Sequence, residues 1–461
     1  MKIHYNIIKR LLFATALPLI ASCSKWFDVQ PKTEIKEDMI FSNVSGYKAA
    51  QTGVYTLMAG QSLYGGELTM SFLDVLAQYY NFTGNTAYYF YAQHYDYGQA
   101  ACKSVTESIW ADAYKAIVNA DNVLAHLDAG ENVLSPMMHS VIRGEMLGIR
   151  AMLHFDILRM FAQAPVLGTD VPAIPYVDAV GRTPLPRLTV AQVLGRISDD
   201  CAEALNALAQ YDPYSPDAVG ISLTQDEKQF LTHREEHFNW QAVRALQCRV
   251  AMWQGQYDEA SEIASELIRL QGDHISGNIF ALYSDKLSNY SEDYFAPRQS
   301  TSLEISPETY ISLFEVMKYG SNDNRSRNFV AAYPNTTNMF VSRWYKTNVL
   351  PTVDMPIFTT AEMYHTLAEC LHHQGDDEGA IATLNTLRSA YGLEAFPMNY
   401  QTCDAMEEIQ KDFRKHQIGL GQMFYFYKRL GIDPVPGAPD DFTISKYILP
   451  LPDDEVQFGN P

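Results

Sequence analysis

The residues of this chain best suited to molecular recognition are aromatic rings set among amides and carboxylates. Residues 79–97 read YYNFTGNTAYYFYAQHYDY, with nine rings in nineteen positions and no clean helical or strand period, which marks a loop rather than a core element. Tyr79, Tyr80, Tyr88, Tyr89 and Tyr91, with Asn81 between them, offer flat faces for the C–H surface of a sugar and polar atoms for its hydroxyls. A second cluster holds Tyr283, Tyr290, Tyr294 and Phe295 beside Asp285, Asn289 and Asp293, and a third holds Arg343, Trp344 and Tyr345. The same rings have two other uses. They can pack a loop onto a scaffold, or meet a protein partner, since interfaces enrich Tyr, Trp and Arg.

Catalytic patterns are weaker. His233, Glu236 and His237 spell H-x-x-E-H, whose zinc form needs both histidines on one helix face. Here the motif precedes the helix that begins near Asn239, among several charges, and reads as a solvated helix entry. His372 and His373 sit before Gly375 at a surface turn. The carboxylate pairs Asp199-Asp200, Asp376-Asp377 and Asp453-Asp454 are adjacent in exposed-looking sequence, and neighbours in sequence do not face one cleft on a helix. No nucleophile elbow, phosphate loop or dinucleotide fingerprint is present. The expectation is binding without catalysis, with no cofactor and no metal.

The elements that must carry these loops are helices. Ile109, Ala113, Ile117, Ala120, Leu124 and Leu127 recur at spacings of three and four, as do Ile142, Met146, Ile149, Leu153, Ile157 and Met160. Thr189 is the expected N-cap of a third helix. Trp110, Trp240 and Trp253 fall on helical stripes and are assigned to the core. Two later stretches each show a helix, a glycine (Gly255, Gly375) and, five residues on, an alanine (Ala260, Ala380) that opens a second helix. That is tetratricopeptide-like spacing, although the copies are far apart rather than adjacent. The fold class expected is all-α, with such hairpins and long irregular loops at about 60–104, 163–188, 211–236 and 272–358.

At the N-terminus, Lys2, Lys9 and Arg10 precede a short apolar run and then Ile20-Ala21-Ser22-Cys23. This predicts a lipoprotein signal over residues 1–22, with Cys23 as the lipidated residue, and a body over 23–461 with parts at about 23–210 and 237–461. The chain carries a net charge of −20, and the leader holds no acidic residue to offset its three cations. A body so acidic, with no basic stripe, is no partner for nucleic acid. The other cysteines (Cys102, Cys201, Cys248, Cys370, Cys403) are odd in number and scattered, and read as packing residues.

The order of these segments resembles the SusD/RagB family of Bacteroidetes surface lipoproteins. After Cys23, WFDVQPKTEIKEDMIFSNVSGYKAAQTGVYTLM is similar to the family's opening. IWADAYKAIVNADNVL resembles its Trp-x-x-x-Tyr-x-x-Ile-x-x-Ala-Asn helix, with Asp121-Asn122 in the last place. Glu145, Arg150, Ala151, Phe155 and Asp156 match its Glu-x-x-x-x-Arg-Ala-x-x-x-Phe-Asp helix, and YILPLPDDEVQFGNP its closing segment. Two positions depart. Thr359-Thr360-Ala361-Glu362 lacks the arginine that usually heads the penultimate hairpin, and His416 and Leu420 replace acidic residues, so an ion pair of the family is expected to be missing.

The resemblance implies a helical body with a loop-built binding face, tethered to the outer membrane and facing the cell exterior. It also implies delivery of a captured nutrient to a SusC-like TonB-dependent transporter, and the ring-and-amide loops make an oligosaccharide the expected nutrient. A peptide ligand, or a structural or adhesive role with no small ligand, stays open at this point.

Overall fold

The computed structural model describes residues 37–82, 89–129, 133–181, 183–283, 303–332, 337–342 and 354–460. The leader and Cys23 lie outside these residues. The chain divides into two units, residues 1–47 and 48–461, and everything below belongs to the second.

In chain order the elements used here are α1 (Phe72–Leu76), α2 (Ala100–Asp128), α3 (Pro136–Phe161), α4 (Val190–Ala209), α5 (Trp240–Gln254), α6 (Tyr257–Gln271), β1 (Asn278–Tyr283), α7 (Arg325–Asn328), β2 (Val330–Ala332), β3 (Met339–Val341), β4 (Asp354–Thr359), α8 (Thr360–His373), α9 (Asp377–Ala390), α10 (Ala405–Gln417) and α11 (Gln422–Leu430). The expected stripes are the buried ones: Ile109, Ala113, Ile117, Ala120, Leu124 and Leu127 on α2, and Ile142 through Met160 on α3. Thr189 caps α4 in a reciprocal capping box with Gln192. Trp110, Trp240 and Trp253 are buried. Four of the five cysteines from Cys102 onward are buried as free thiols, and Cys403 is half-buried. No described helix is long and apolar enough to cross a membrane.

Both glycine-linked hairpins form. Gly255 and Gly375 adopt positive φ (71° and 83°), the backbone that a side chain resists and that a tight inter-helix turn requires. Ala260 and Ala380 are fully buried where the paired helices approach. The two hairpins, 120 residues apart in sequence, stack on each other through α6 and α8. The Tyr257 ring lies 3.8 Å from His373 in a stacked pair, and Gln374 donates to Asp258 at 2.8 Å. The long stretch between them leaves as β1 and returns as β4, an antiparallel pair with Tyr283 opposite Asp354. Adjacency of the repeats is thus a property of space, not of sequence.

The charged residues of the helices that carried the family resemblance, Asp121, Glu145, Arg150 and Asp156, are buried ion partners. Arg150 joins Asp121 at 2.8 Å and Asp200 at 2.6 and 2.7 Å, and Tyr176 donates to the same Asp200 at 2.5 Å. Asp200 therefore corrects the expectation of an exposed acidic pair. Glu145 accepts from Gln51 (2.6 Å), Tyr55 (2.5 Å) and Arg234, and Arg234 also donates to Asp212 at 2.6 Å. Arg234 is 2% exposed, although it sits in the stretch expected to be a solvated helix entry. Asn239, the N-cap of α5, accepts from Ala242 and donates to the Arg234 carbonyl, which fastens that stretch inward. Its neighbours His233 and His237 do not share a helix: His233 is exposed at φ 53°, and His237 leans on Glu145 at 3.2 Å. Glu362, expected to lack an arginine, takes Arg249 of α5 at 2.5 and 2.7 Å, and Glu369 takes Arg429 at 2.6 and 2.8 Å. His416 is buried between Thr359 and Tyr391.

Candidate ligand-binding face

The first ring-rich segment is gripped from below by the C-terminal helices. Asp74 of α1 accepts from the backbone N–H of Gly419 (2.6 Å) and Gly421 (3.1 Å). Arg414 of α10 donates to the Ala77 and Gln78 carbonyls at 3.0 and 2.9 Å and lies 4.6 Å over the Tyr79 ring. At Gly421, φ is +70° and a Cβ would stand 2.2 Å from the Leu68 carbonyl oxygen. Gly421→Ala is therefore expected to cost about 2 kcal/mol or more. A chemical melt with an unchanged midpoint would show that this contact gives way freely.

Three of the expected stacking rings face inward. Tyr79, Tyr80 and Tyr89 are 0%, 1% and 3% exposed. Tyr79 donates to the Arg414 carbonyl and Tyr80 to the Met70 carbonyl, both at 2.6 Å. Further along, Tyr95 and Tyr97 donate to the Leu76 and Lys446 carbonyls at 2.6 and 2.7 Å. The physical reason is common to all four. Three of the accepting carbonyls, of Arg414, Leu76 and Lys446, stand in the last turns of helices and that of Met70 in a turn, where backbone carbonyls lack a regular partner, and tyrosine buries a large apolar ring while its hydroxyl reaches one of them. In this arrangement these rings support the loop rather than meet a ligand. Asn81 is exposed and Tyr91 half-buried, its ring edge-on to Phe90 at 5.5 Å. Tyr88, Tyr290, Tyr294, Arg343 and Trp344 lie outside the described residues.

Tyr89 ends on a carboxylate. Its hydroxyl meets both oxygens of Glu67 at 3.0 and 3.1 Å, and Ser71 donates to the same group at 2.9 Å. Burial pushes the Glu67 carboxyl up to about 7, with the Ser71 and Tyr89 bonds opposing the rise. Because the folded value exceeds the unfolded one, the stability that Glu67 contributes is complete below pH 4.5 and is lost as pH rises through about 7. Glu67→Gln, which mimics the protonated acid, should melt like the native protein at pH 4 and at a higher temperature at pH 8. An equal difference at both pH values would contradict this assignment.

The described ends of the three ring-rich segments are tied to one another. Asn81 donates its backbone N–H to the Glu304 carbonyl (3.0 Å), and its side-chain oxygen accepts from Ser306 N (3.3 Å) and the Thr309 hydroxyl (3.0 Å). Ile305 exchanges backbone hydrogen bonds with Met339 of β3, both at 2.9 Å, and Asn338 reaches Glu304 at 2.5 Å. β3 pairs with β2, and Ser342 N bonds the Phe329 carbonyl. Tyr283 stands opposite Asp354 across the β1–β4 pair, so described ends of the second and third segments meet there as well. Of the residues that hold this face, Glu67 had no counterpart among the sequence motifs. A lone glutamate in a turn gives no signal.

Comparison with known proteins agrees with this architecture. A family model described as starch-binding associating with outer membrane matches residues 25–218, and one described as SusD family matches 286–429. SusD-like protein P25 of Formosa agariphila is 24% identical over 167 residues, 35% of this chain, and the match spans 31% of that relative's length. A SusD superfamily protein of Bacteroides thetaiotaomicron superposes with a TM-score of 0.69 at 18% identity, covering 90% of this chain and 98% of that one. A SusD superfamily protein of Bacteroides fragilis gives 0.66 at 20%, covering 91% and 99%. A SusD-like carbohydrate binding protein of Bacteroides vulgatus gives 0.64 at 18%, covering 84% and 83%. At such identities the structures speak to the fold, which they share over most of its length. With the two models together spanning more than half of the sequence, and its motif residues buried as the partners that hold the helices, the chain belongs to the SusD/RagB family.

Proposed function

We propose that this protein captures an oligosaccharide at the cell surface, held there by lipid on Cys23, and passes it to a SusC-like TonB-dependent transporter. The observation that supports the reading is the hydrogen bonding of the described ends of the three ring-rich segments to one another, at Asn81, Glu304 and Met339. The names of the relatives support it, since one is a carbohydrate binding protein and one matching model is described as starch-binding. Capture needs no bond to break. Asn81 and Tyr91 on the described rim, with Tyr88, Tyr290, Tyr294, Arg343 and Trp344, are the proposed contacts.

Affinity electrophoresis and titration calorimetry of the mature protein against plant and microbial polysaccharides test the reading. At least one neutral glycan is expected to bind, and Trp344→Ala to weaken it about tenfold, equivalent to about 1.4 kcal/mol. Retention of none of the glycans sinks the proposal, and binding of a peptide library in their place would reassign the face to peptides.

A further inference from the structure

The geometry points to a second sugar-contacting groove, lined by hydroxyls and carboxylates and lacking a stacking ring, between residues 60–67 and one face of α2. This inference rests on the glycan reading above. The groove encloses about 360 Å³. Ser104, Ser108 and Asp112 form its α2 wall. They are four residues apart in each step, so they line one helix face at intervals of about 6 Å. Ser62 on the opposite wall donates to Asp112 at 2.5 Å. Glu67 lies in the lining, 5% exposed.

The lining selects a class of ligand. Among the described residues that form it there is no Lys, Arg or His, so an anionic group would find no counter-charge. A metal ion would find only two carboxylates, Glu67 and Asp112, and the first of these is 5% exposed, too few anionic oxygens to hold a hard cation. Val105 is the one apolar side chain in the lining, too small a surface for a ring face to stack upon. A neutral polyol suits it best. Its hydroxyls can donate to the remaining lone pairs of Glu67 and Asp112 and both give to and accept from Ser104 and Ser108. Glu67 also bonds Tyr89, the residue at which the first ring-rich segment rejoins the described structure. This buried bond ties the groove to Tyr89 of that segment, and a ligand chain that extends beyond the groove is proposed to reach the segment as well.

The test uses the mature protein and its Ser104→Leu/Ser108→Leu double variant, changed only at exposed helix positions. Calorimetric titration with maltotriose and maltoheptaose, and with xylo- and manno-oligosaccharides of the same lengths, compares the two. If the groove is a second contact, the variant loses about tenfold in affinity for the longest oligosaccharide bound and keeps its affinity for the shortest. A crystal soaked in that longest oligosaccharide should place a hydroxyl on Glu67. Equal affinity of both proteins for every length overturns the groove and leaves the glycan reading intact. If the native protein binds no oligosaccharide, both fall together. An unchanged melting temperature in the variant guards against loss through misfolding.

Discussion

Arg234→Ala is expected to lower the unfolding free energy by about 3–5 kcal/mol, because it strips a buried pair of carboxylates of their shared cation. Glu145 and Asp212 are both buried, and the Arg234 guanidinium is the charge between them. Burial alone would raise the Glu145 carboxyl. Arg234 first, then His237 and Tyr55, outweigh it and hold the group at about 2. Its folded pKa lies below the unfolded value of 4.5, so its contribution is complete above pH 4.5 and is lost as pH falls through about 2. In the variant, burial acts unopposed by the guanidinium. The deficit should therefore be greatest near neutrality and narrow as Glu145 becomes protonated. Urea melts at a series of pH values read this directly. A deficit that stays constant from pH 7 to pH 3 would contradict the electrostatic origin. Replacing all three residues at once, as Arg234→Met, Glu145→Gln and Asp212→Asn, should recover much of the loss, because no unpaired charge remains.

Arg325→Leu is expected to cost a similar amount, about 3–5 kcal/mol, and to loosen the candidate face as well. The guanidinium is fully buried between Asp323 (2.9 and 2.9 Å) and Asp412 (2.8 and 2.9 Å), with the Tyr391 ring 4.7 Å away. It fastens α7 to α10. β2 follows α7 directly and pairs with β3, which holds Ile305. Hydrogen exchange should thus show the amides of Ile305 and Met339 losing protection ahead of those in α2 and α3. Burial would raise the Asp412 carboxyl, but Arg325 and then His365 hold it well below its usual 3.8. Its contribution is complete above that value and is lost as pH falls through the depressed one. Arg325→Lys should rescue little, because an ammonium cannot bond two carboxylates side by side. Full rescue by lysine would mean that charge alone, not the planar fork, is what α7 needs.

Much of the scaffold was legible in the chain because helices are local objects. The apolar spacing from Ile109 to Leu127, the Thr189 cap and the two glycine turns are set by neighbours within four residues, and each stands where its spacing placed it. The ion partners were half legible. Asp121, Glu145 and Arg150 stood out as a pattern, but their partners Asp200 and Arg234 looked solvated, since burial depends on residues 50 or more positions away. The missing arginine beside Glu362 was another such case, supplied from α5 as Arg249.

The ring-rich segment shows where that limit falls. Its composition announced an unusual loop, and the sequence alone determined that a helical scaffold presents it. Only the tertiary structure decided which rings look inward. Tyr79, Tyr80 and Tyr89 are turned into the fold because an acceptor waits for each hydroxyl, at Arg414, Met70 and Glu67. For Tyr79 that acceptor lies more than 330 residues away. A tyrosine that stacks on a sugar and one that fastens a loop have the same letter and the same neighbours; what separates them is whether a distant carbonyl or carboxylate comes within hydrogen-bond reach, which no local pattern encodes.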